Sequence, residues 1–286
     1  MKRKQMIMKW LMIACITGFS GIALAEKVTY PNIDGIGSES IGYSVLKLAL
    51  EKSEPDIEVY LDKQEVNQTR AKYMVEIGKA DVFDSGFQPE LEARFKPIYL
   101  PIDRGILGWR LFIIHQDNAD ALGKVQSIKD LKNYLFGQGS GWGDIDILEK
   151  AGLKVITSSK ISNLMGMVAG KRFEIFPLGS NEVYAFLDKF GANYPQLVID
   201  EHISLIYPFG RFFYVNKDNE ELANKIQTGL EKALDDGSLQ NLLNQHAYFK
   251  DAFSKAHLHN RVQIRIDTPN LTSGFSNIPA KWWYTP

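Results

Sequence analysis

A two-lobed α/β protein is predicted by three features of the sequence. Strand-like apolar runs alternate with helical patterns from Lys27 nearly to the end, two long extended stretches interrupt that rhythm, and one helix-glycine-strand turn occurs twice. The 286 residues are 45% hydrophobic and 23% charged with a single cysteine, a composition that fills a core without disulfide staples and excludes a disordered chain.

Residues 1–25 carry Lys2, Arg3, Lys4 and Lys9 and no acid, then an uncharged stretch from Trp10 that ends in Ala23-Leu24-Ala25. That pattern predicts a signal peptide cleaved after Ala25, because the 16 uncharged residues from Trp10 to Ala25 fall short of the roughly 20 apolar residues of a membrane span. The alternative is a lipoprotein acylated at Cys15, which follows Ile13-Ala14. Residues 26–286 contain no cysteine and hold 29 basic against 34 acidic residues without a basic run, so they lack both a thiol and the clustered cations that nucleic acid requires.

Beyond the signal, Lys27 to Pro31 reads as the first strand and is followed by a Gly-rich turn and a helix from Ile41 to Leu50. Ile57 to Leu61 is the second strand, Gln68 to Ile77 a helix and Ala80 to Phe83 the third strand. Ile98 to Ile114 is too long for one strand and is broken at Pro101 and Gly105, so it reads as a crossing between lobes. A second series follows, with strands at Leu135 to Gly137, Lys154 to Ile156 and Phe173 to Phe176, and helices at Asp144 to Ala151, Ile161 to Val168 and Asn181 to Phe190. Leu197 to Val215, interrupted by Pro208 and Gly210, forms the return crossing. Leu222, Ile226, Leu230 and Leu234 then mark one apolar helix face that Gly237 ends. The tail from about Tyr248 contains the alternating run Val262 to Ile266 and the aromatic end Trp282-Trp283-Tyr284, and is expected to pack on the first lobe or to dock a partner.

The repeated turn is Met74 to Phe83 and again Met167 to Phe176: each ends a helix at a glycine, Gly78 or Gly170, and enters a strand. One copy precedes the first crossing and the other lies between the two crossings. The expected division is lobe 1 over 26–103 and 210–250, lobe 2 over 104–209, and a C-terminal extension over 251–286 packed on lobe 1. Two such lobes leave a cleft between them, where α/β architectures bind small ligands.

These features together resemble the type II periplasmic solute-binding proteins, in particular the family 3, amino-acid-binding branch that serves ABC transporters. The resemblance covers residues 27 to about 250 and rests on the turn Gly78 to Asp81, Pro89-Glu90, Gln138-Gly139-Ser140, the turn Gly170 to Glu174, and Leu234 to Ser238. It implies a fold that closes on a solute and presents it to an inner-membrane ABC permease or to a membrane sensor, as a monomer with no cofactor and no metal. Where that family places a carboxylate-clamping arginine after Pro-Glu, this chain has Leu91, with Arg94 read as a surface residue. Where it places an ammonium-binding aspartate, the chain has Ser180 and Asn181. Ordinary α-amino acids are therefore disfavoured as ligands.

The candidate ligand-binding residues follow the carboxyl ends of the strands and the crossings. Asp84, Ser85 and Phe87 end the third strand, and Asn181 and Glu182 hold the matching place in the second lobe. Gln138, Ser140 and Trp142 belong to a Gly-rich turn that either presents backbone amides to the solute or packs Trp142 against the lobe. Arg104, Trp109 and Tyr207 lie in the crossings, as cleft lining or as hinge residues. An enzyme is not expected: Gln138 stands where a G-x-S-x-G elbow around Ser140 needs glycine, and no H-E-x-x-H or Walker loop occurs. His257 and His259 alternate in the polar tail without a third metal ligand.

Protein recovered from a periplasmic extract is expected to begin at Glu26, read by N-terminal sequencing. An acylated Cys15 at that terminus overturns the cleavage site.

Overall fold

The computed structural model describes residues 26–285, so the export signal expected over residues 1–25 lies outside the described residues. The first lobe starts with β1 (Lys27–Ile33) and α1 (Ile41–Ser53), where Ser40 caps the helix by accepting from the Tyr43 amide. It continues with β2 (Glu58–Val66), parallel to β1, then α2 (Gln68–Glu76), β3 (Val82–Gly86) and β4 (Phe95–Ile98). The Asp81 amide donates to the Thr29 carbonyl and the Thr29 amide to Asp81 Oδ2, which ties the start of β3 to β1.

The first crossing is shorter than the sequence predicts, because Trp109 to His115 is already a strand, β5, at the centre of the second lobe's sheet. Its turn is organised by Asp103, whose wholly buried carboxylate accepts from the amides of Gly105, Leu107 and Arg211. Burial raises the pKa of that carboxyl and the three amides oppose the shift. Arg104 and Gly105 both take left-handed backbone angles in this turn, at φ 52° and 73°.

The second lobe adds the one-turn helices α3 (Ala119–Leu122) and α4 (Ile128–Leu131), then β6 (Leu135–Gly139), α5 (Asp144–Lys150) and β7 (Lys154–Ser158). There follow α6 (Ile161–Ala169), β8 (Ile175–Gly179), α7 (Val183–Phe190), β9 (Leu197–Ile199) and β10 (Ile203–Ile206). β5 pairs with β8, β9 and β10, all antiparallel, while β6 runs parallel to β7 and β8. The chain returns through residues 207–210 to β11 (Arg211–Asn216), which sits between β3 and β4.

Two helices close the first lobe: α8 (Glu220–Asp235) and α9 (Ser238–Gln245), separated by left-handed Gly237. α8 crosses α1 where Gly229 meets Ala49, and a Cβ at Gly229 would come within 1.8 Å of the Ala49 carbonyl oxygen.

The C-terminal extension departs from the expected packing on lobe 1 alone. After α10 (Lys250–Ser254), buried Arg261 donates to the carbonyls of Ala256, Asp200 and Ile203, and β12 (Val262–Arg265) joins the second lobe as a parallel edge strand on β10. The cause is the alternation of Val262 to Ile266, which suits the open β10 edge. The chain then turns back: Thr268 donates to the Pro208 carbonyl, and α11 (Ser273–Ser276) places Phe275 against Phe87 and Phe212 of lobe 1 at ring separations of 4.4 and 5.5 Å. The extension is thus a third interlobe connection.

Because the α1–α8 crossing has no room for a side chain at Gly229, Gly229→Ala is expected to cost about 1–3 kcal/mol. The measurement is the urea midpoint, with Gly37→Ala, where nothing lies within 4 Å of an added Cβ but φ is 65°, as the backbone-strain control.

Candidate functional site

The seam between the lobes is built around two arginines that the sequence reading did not single out. Arg110 is the second residue of β5 and is 2% exposed. Its Nη2 donates to Asp144 Oδ1 at 2.5 Å, and the Tyr207 hydroxyl donates to the same oxygen, also at 2.5 Å. Arg110 Nη1 lies 3.9 Å from Glu182 Oε2, and its Nε is buried without a hydrogen-bond partner among the described residues. The guanidinium stacks over the rings of Tyr207 and Phe209 at 5.3 and 5.4 Å.

The first lobe answers with Arg211, the first residue of β11, which donates from Nε and Nη2 to Asp84 Oδ2 at 2.7 and 2.5 Å. The Tyr30 hydroxyl donates to the other Asp84 oxygen. Gly42 at the start of α1 makes this close packing possible, since a Cβ there would overlap both Asp84 and the Tyr30 hydroxyl. Burial and the neighbouring Asp84 carboxylate push the Tyr30 phenol well above its ordinary pKa, and burial does the same to Tyr207, so both stay protonated as donors. For both arginines burial favours the neutral form, but the adjacent aspartates outweigh it and hold the guanidinium charged.

The lobes meet across this seam directly. Tyr248, just past α9, donates from its hydroxyl to Glu182 Oε1 at 2.9 Å, joining lobe 1 to lobe 2. Phe209, from the return crossing, lies between Gly86 and Gly143: added Cβ atoms would sit 3.4 and 4.0 Å from its ring. Beside Tyr248 a pocket of about 300 Å³ opens between Ile36, Glu39 and His246 of lobe 1 and Asn181 and Ala185 of lobe 2. Asn181 is 5% exposed, and neither its Oδ1 nor its Nδ2 has a partner among the described residues. A buried amide with both ends unsatisfied is costly, and a ligand offering one donor and one acceptor removes that cost.

Of the residues expected at the site, Asp84, Asn181, Glu182 and Tyr207 come together in or beside this seam. Ser85 is buried on β3 and alternates away from Asp84. Phe87 is in the lobe 1 aromatic cluster with Phe212 and Phe275. Gln138 is buried within the second lobe, where its Nε2 donates to the Pro177 carbonyl and its Oε1 has no partner among the described residues. Ser140 is exposed, and Trp142 packs on Gly139 with its ring stacked 6.4 Å from Phe176, the packed alternative for that turn. Arg104 and Trp109 face a different cavity, under the C-terminal extension. Strand alternation is the reason for Trp109: Arg110 points into the seam, so its neighbour points away. Leu91 is buried in lobe 1, and Arg94 pairs with Glu76 on the surface. The cation expected at the cleft, Arg104, thus lies at the other cavity, and the arginines at the seam are Arg110 and Arg211, both already committed to aspartates.

No protein-family model matches the sequence, and no curated protein matches it. Solved structures do. The probable amino-acid ABC transporter extracellular-binding protein YtmK of Bacillus subtilis superimposes with a TM-score of 0.56 at 15% identity, over 79% of this chain and 100% of that one. The L-cystine solute receptor of Neisseria gonorrhoeae, in its unliganded open conformation, gives 0.54 at 17% identity over 80% and 95% of the two chains. An amino-acid ABC transporter substrate-binding protein of Streptococcus pneumoniae, bound to L-arginine, gives 0.51 at 17% identity over 80% and 96%. The chain has the mixed α/β fold of the type II periplasmic binding proteins.

Breaking one partner of the Arg110–Asp144 pair leaves a buried charge, so Arg110→Met alone is expected to lose about 3–5 kcal/mol. The double variant Arg110→Met with Asp144→Leu should recover part of that loss, measured by chemical denaturation of the single and double variants.

Proposed function

We propose that this protein is an exported solute-binding protein that captures a small polar molecule between its lobes and delivers it to an ABC-type permease. The observation that carries the reading is the pocket whose walls come from both lobes and include Asn181, a buried amide with neither end satisfied among the described residues. A ligand there contacts lobe 1 and lobe 2 at once, so binding and lobe closure are one event. The likeness to binding proteins of amino-acid ABC transporters supports the same reading.

The charges around the pocket limit the solute. Arg110 and Arg211 are neutralised by Asp144 and Asp84, which leaves Glu182 in the seam and Glu39 and Asp251 at the pocket wall. This surplus of carboxylates favours a neutral or cationic solute with an amide, hydroxyl or amine group and repels a second carboxylate. In this reading Asn181 supplies one donor and one acceptor, and Tyr248 at the pocket wall a further polar group. The Asn181 region and the Trp142 turn are separate, so Trp142 is a packing residue in this reading.

A thermal-shift screen of the mature protein against polar metabolites is expected to find a neutral or cationic ligand, which at about 100 times its dissociation constant adds roughly 2.7 kcal/mol. Asn181→Ala should weaken that ligand by about tenfold or more in calorimetry. Unchanged affinity in Asn181→Ala refutes the site, and tight binding of aspartate or glutamate refutes the charge argument.

A further inference from the structure

A second cavity, of about 450 Å³, lies on the hinge under the C-terminal extension, and Tyr207 lies between it and the interlobe seam. Its walls are aromatic: Trp109 of β5, Tyr207 of the return crossing, and Phe275, Trp283 and Tyr284 of the extension. Trp109 meets Tyr284 edge to face at 6.0 Å, and Trp283 lies 5.4 Å from Phe275. Two guanidinium groups line the same space, Arg265 at 5.6 Å over the Trp109 ring and Arg104 at 6.0 Å over Tyr284, against one carboxylate, Asp267.

Arg104 is set into this cavity with some strain. It has a left-handed backbone at φ 52°, which a side chain rarely adopts, and its carbonyl accepts from the Tyr284 amide at 2.7 Å. Its Nη1 donates to Gln240 Oε1 and its Nη2 reaches the Trp283 carbonyl, yet its Nε is buried with no partner among the described residues. Burial lowers the pKa of the guanidinium, a penalty that an anion beside it removes. Next to it, Gly105 is needed twice, for its φ of 73° and because an added Cβ would lie 2.3 Å from the Trp283 ring.

We propose that this cavity is a second ligand site, for a small aromatic carboxylate. The ring stacks among Trp109, Trp283 and Tyr284, and the carboxylate is met by the two guanidinium groups that line the cavity, Arg104 and Arg265. A volume of about 450 Å³ suits a one- or two-ring molecule. An uncharged apolar occupant would leave the excess of two guanidinium groups over one carboxylate unanswered, and a bare inorganic anion would leave the aromatic walls uncovered.

The test uses the mature protein titrated with benzoate, phenylacetate and indole-3-acetate, each beside its neutral amide, with tryptophan fluorescence and melting temperature as readouts. At least one carboxylate should bind saturably below about 1 mM, with its amide about tenfold weaker. Arg265→Gln changes an exposed residue of the edge strand and should weaken that carboxylate about tenfold, as should Tyr284→Ala, while Asn181→Ala should leave it unchanged. The proposal is overturned by no saturable binding of any of the three carboxylates, by equal binding of acid and amide, or by unchanged binding in both Arg265→Gln and Tyr284→Ala. Loss of binding in Asn181→Ala also overturns it, since that places the molecule in the interlobe pocket.

Discussion

Everything at the centre of this molecule is arranged around two paired guanidinium groups, one buried and one partly so. Arg110 and Arg211 each stand at the start of a strand that leaves a crossing, so the chain delivers one charge to each lobe at the point where the lobes face each other. A charge removed from water must be met, and the neighbouring elements meet it: α5 brings Asp144, β3 brings Asp84, and Tyr207 and Tyr30 donate to the same carboxylates. The pairs are internally neutral within each lobe, so the lobes need no foreign ion to approach. What joins them is softer, the Tyr248 to Glu182 hydrogen bond and the Phe209 ring.

The two arginine–aspartate pairs lie inside the lobes, while one continuous apolar cluster, from Val28 and Phe212 of lobe 1 to Leu111 and Phe176 of lobe 2, runs across them. The hinge itself is short and well defined, because Asp103 gathers amides from both crossings, Gly105 and Leu107 on the first and Arg211 on the second. The C-terminal extension adds a constraint of its own. It gives β12 to lobe 2 and Phe275 to lobe 1, so any change in lobe position must be taken up by residues 266–274. The hinge cavity sits at that place, with walls drawn from the crossing, the lobe 2 edge and the returning tail.

The sequence by itself determined the layers and their order. Alternating strand and helix patterns, the glycine turn at Gly78 and the broken extended stretches follow from local rules of backbone conformation and periodicity, which act over a few residues and are legible one dimension at a time; at the second turn the left-handed position expected of Gly170, which keeps φ −85°, falls instead to Lys171 at φ 56°. The same rules located the strand ends where Asp84, Asn181 and Glu182 lie. They did not find Arg110, since it sits in the apolar run Trp109 to Ile114 and a single cation there reads as a strand edge. Tertiary structure decided which face of β5 turns inward, and one residue of alternation sent Arg110 to the seam and Trp109 to the hinge cavity. It also decided that the tail pairs with β10, because that choice depends on an edge left open by strands far apart in the chain. Asp144, Tyr30 and Tyr248 belong to the site for the same reason: long-range desolvation brings distant polar groups to a buried charge, and no local pattern records it.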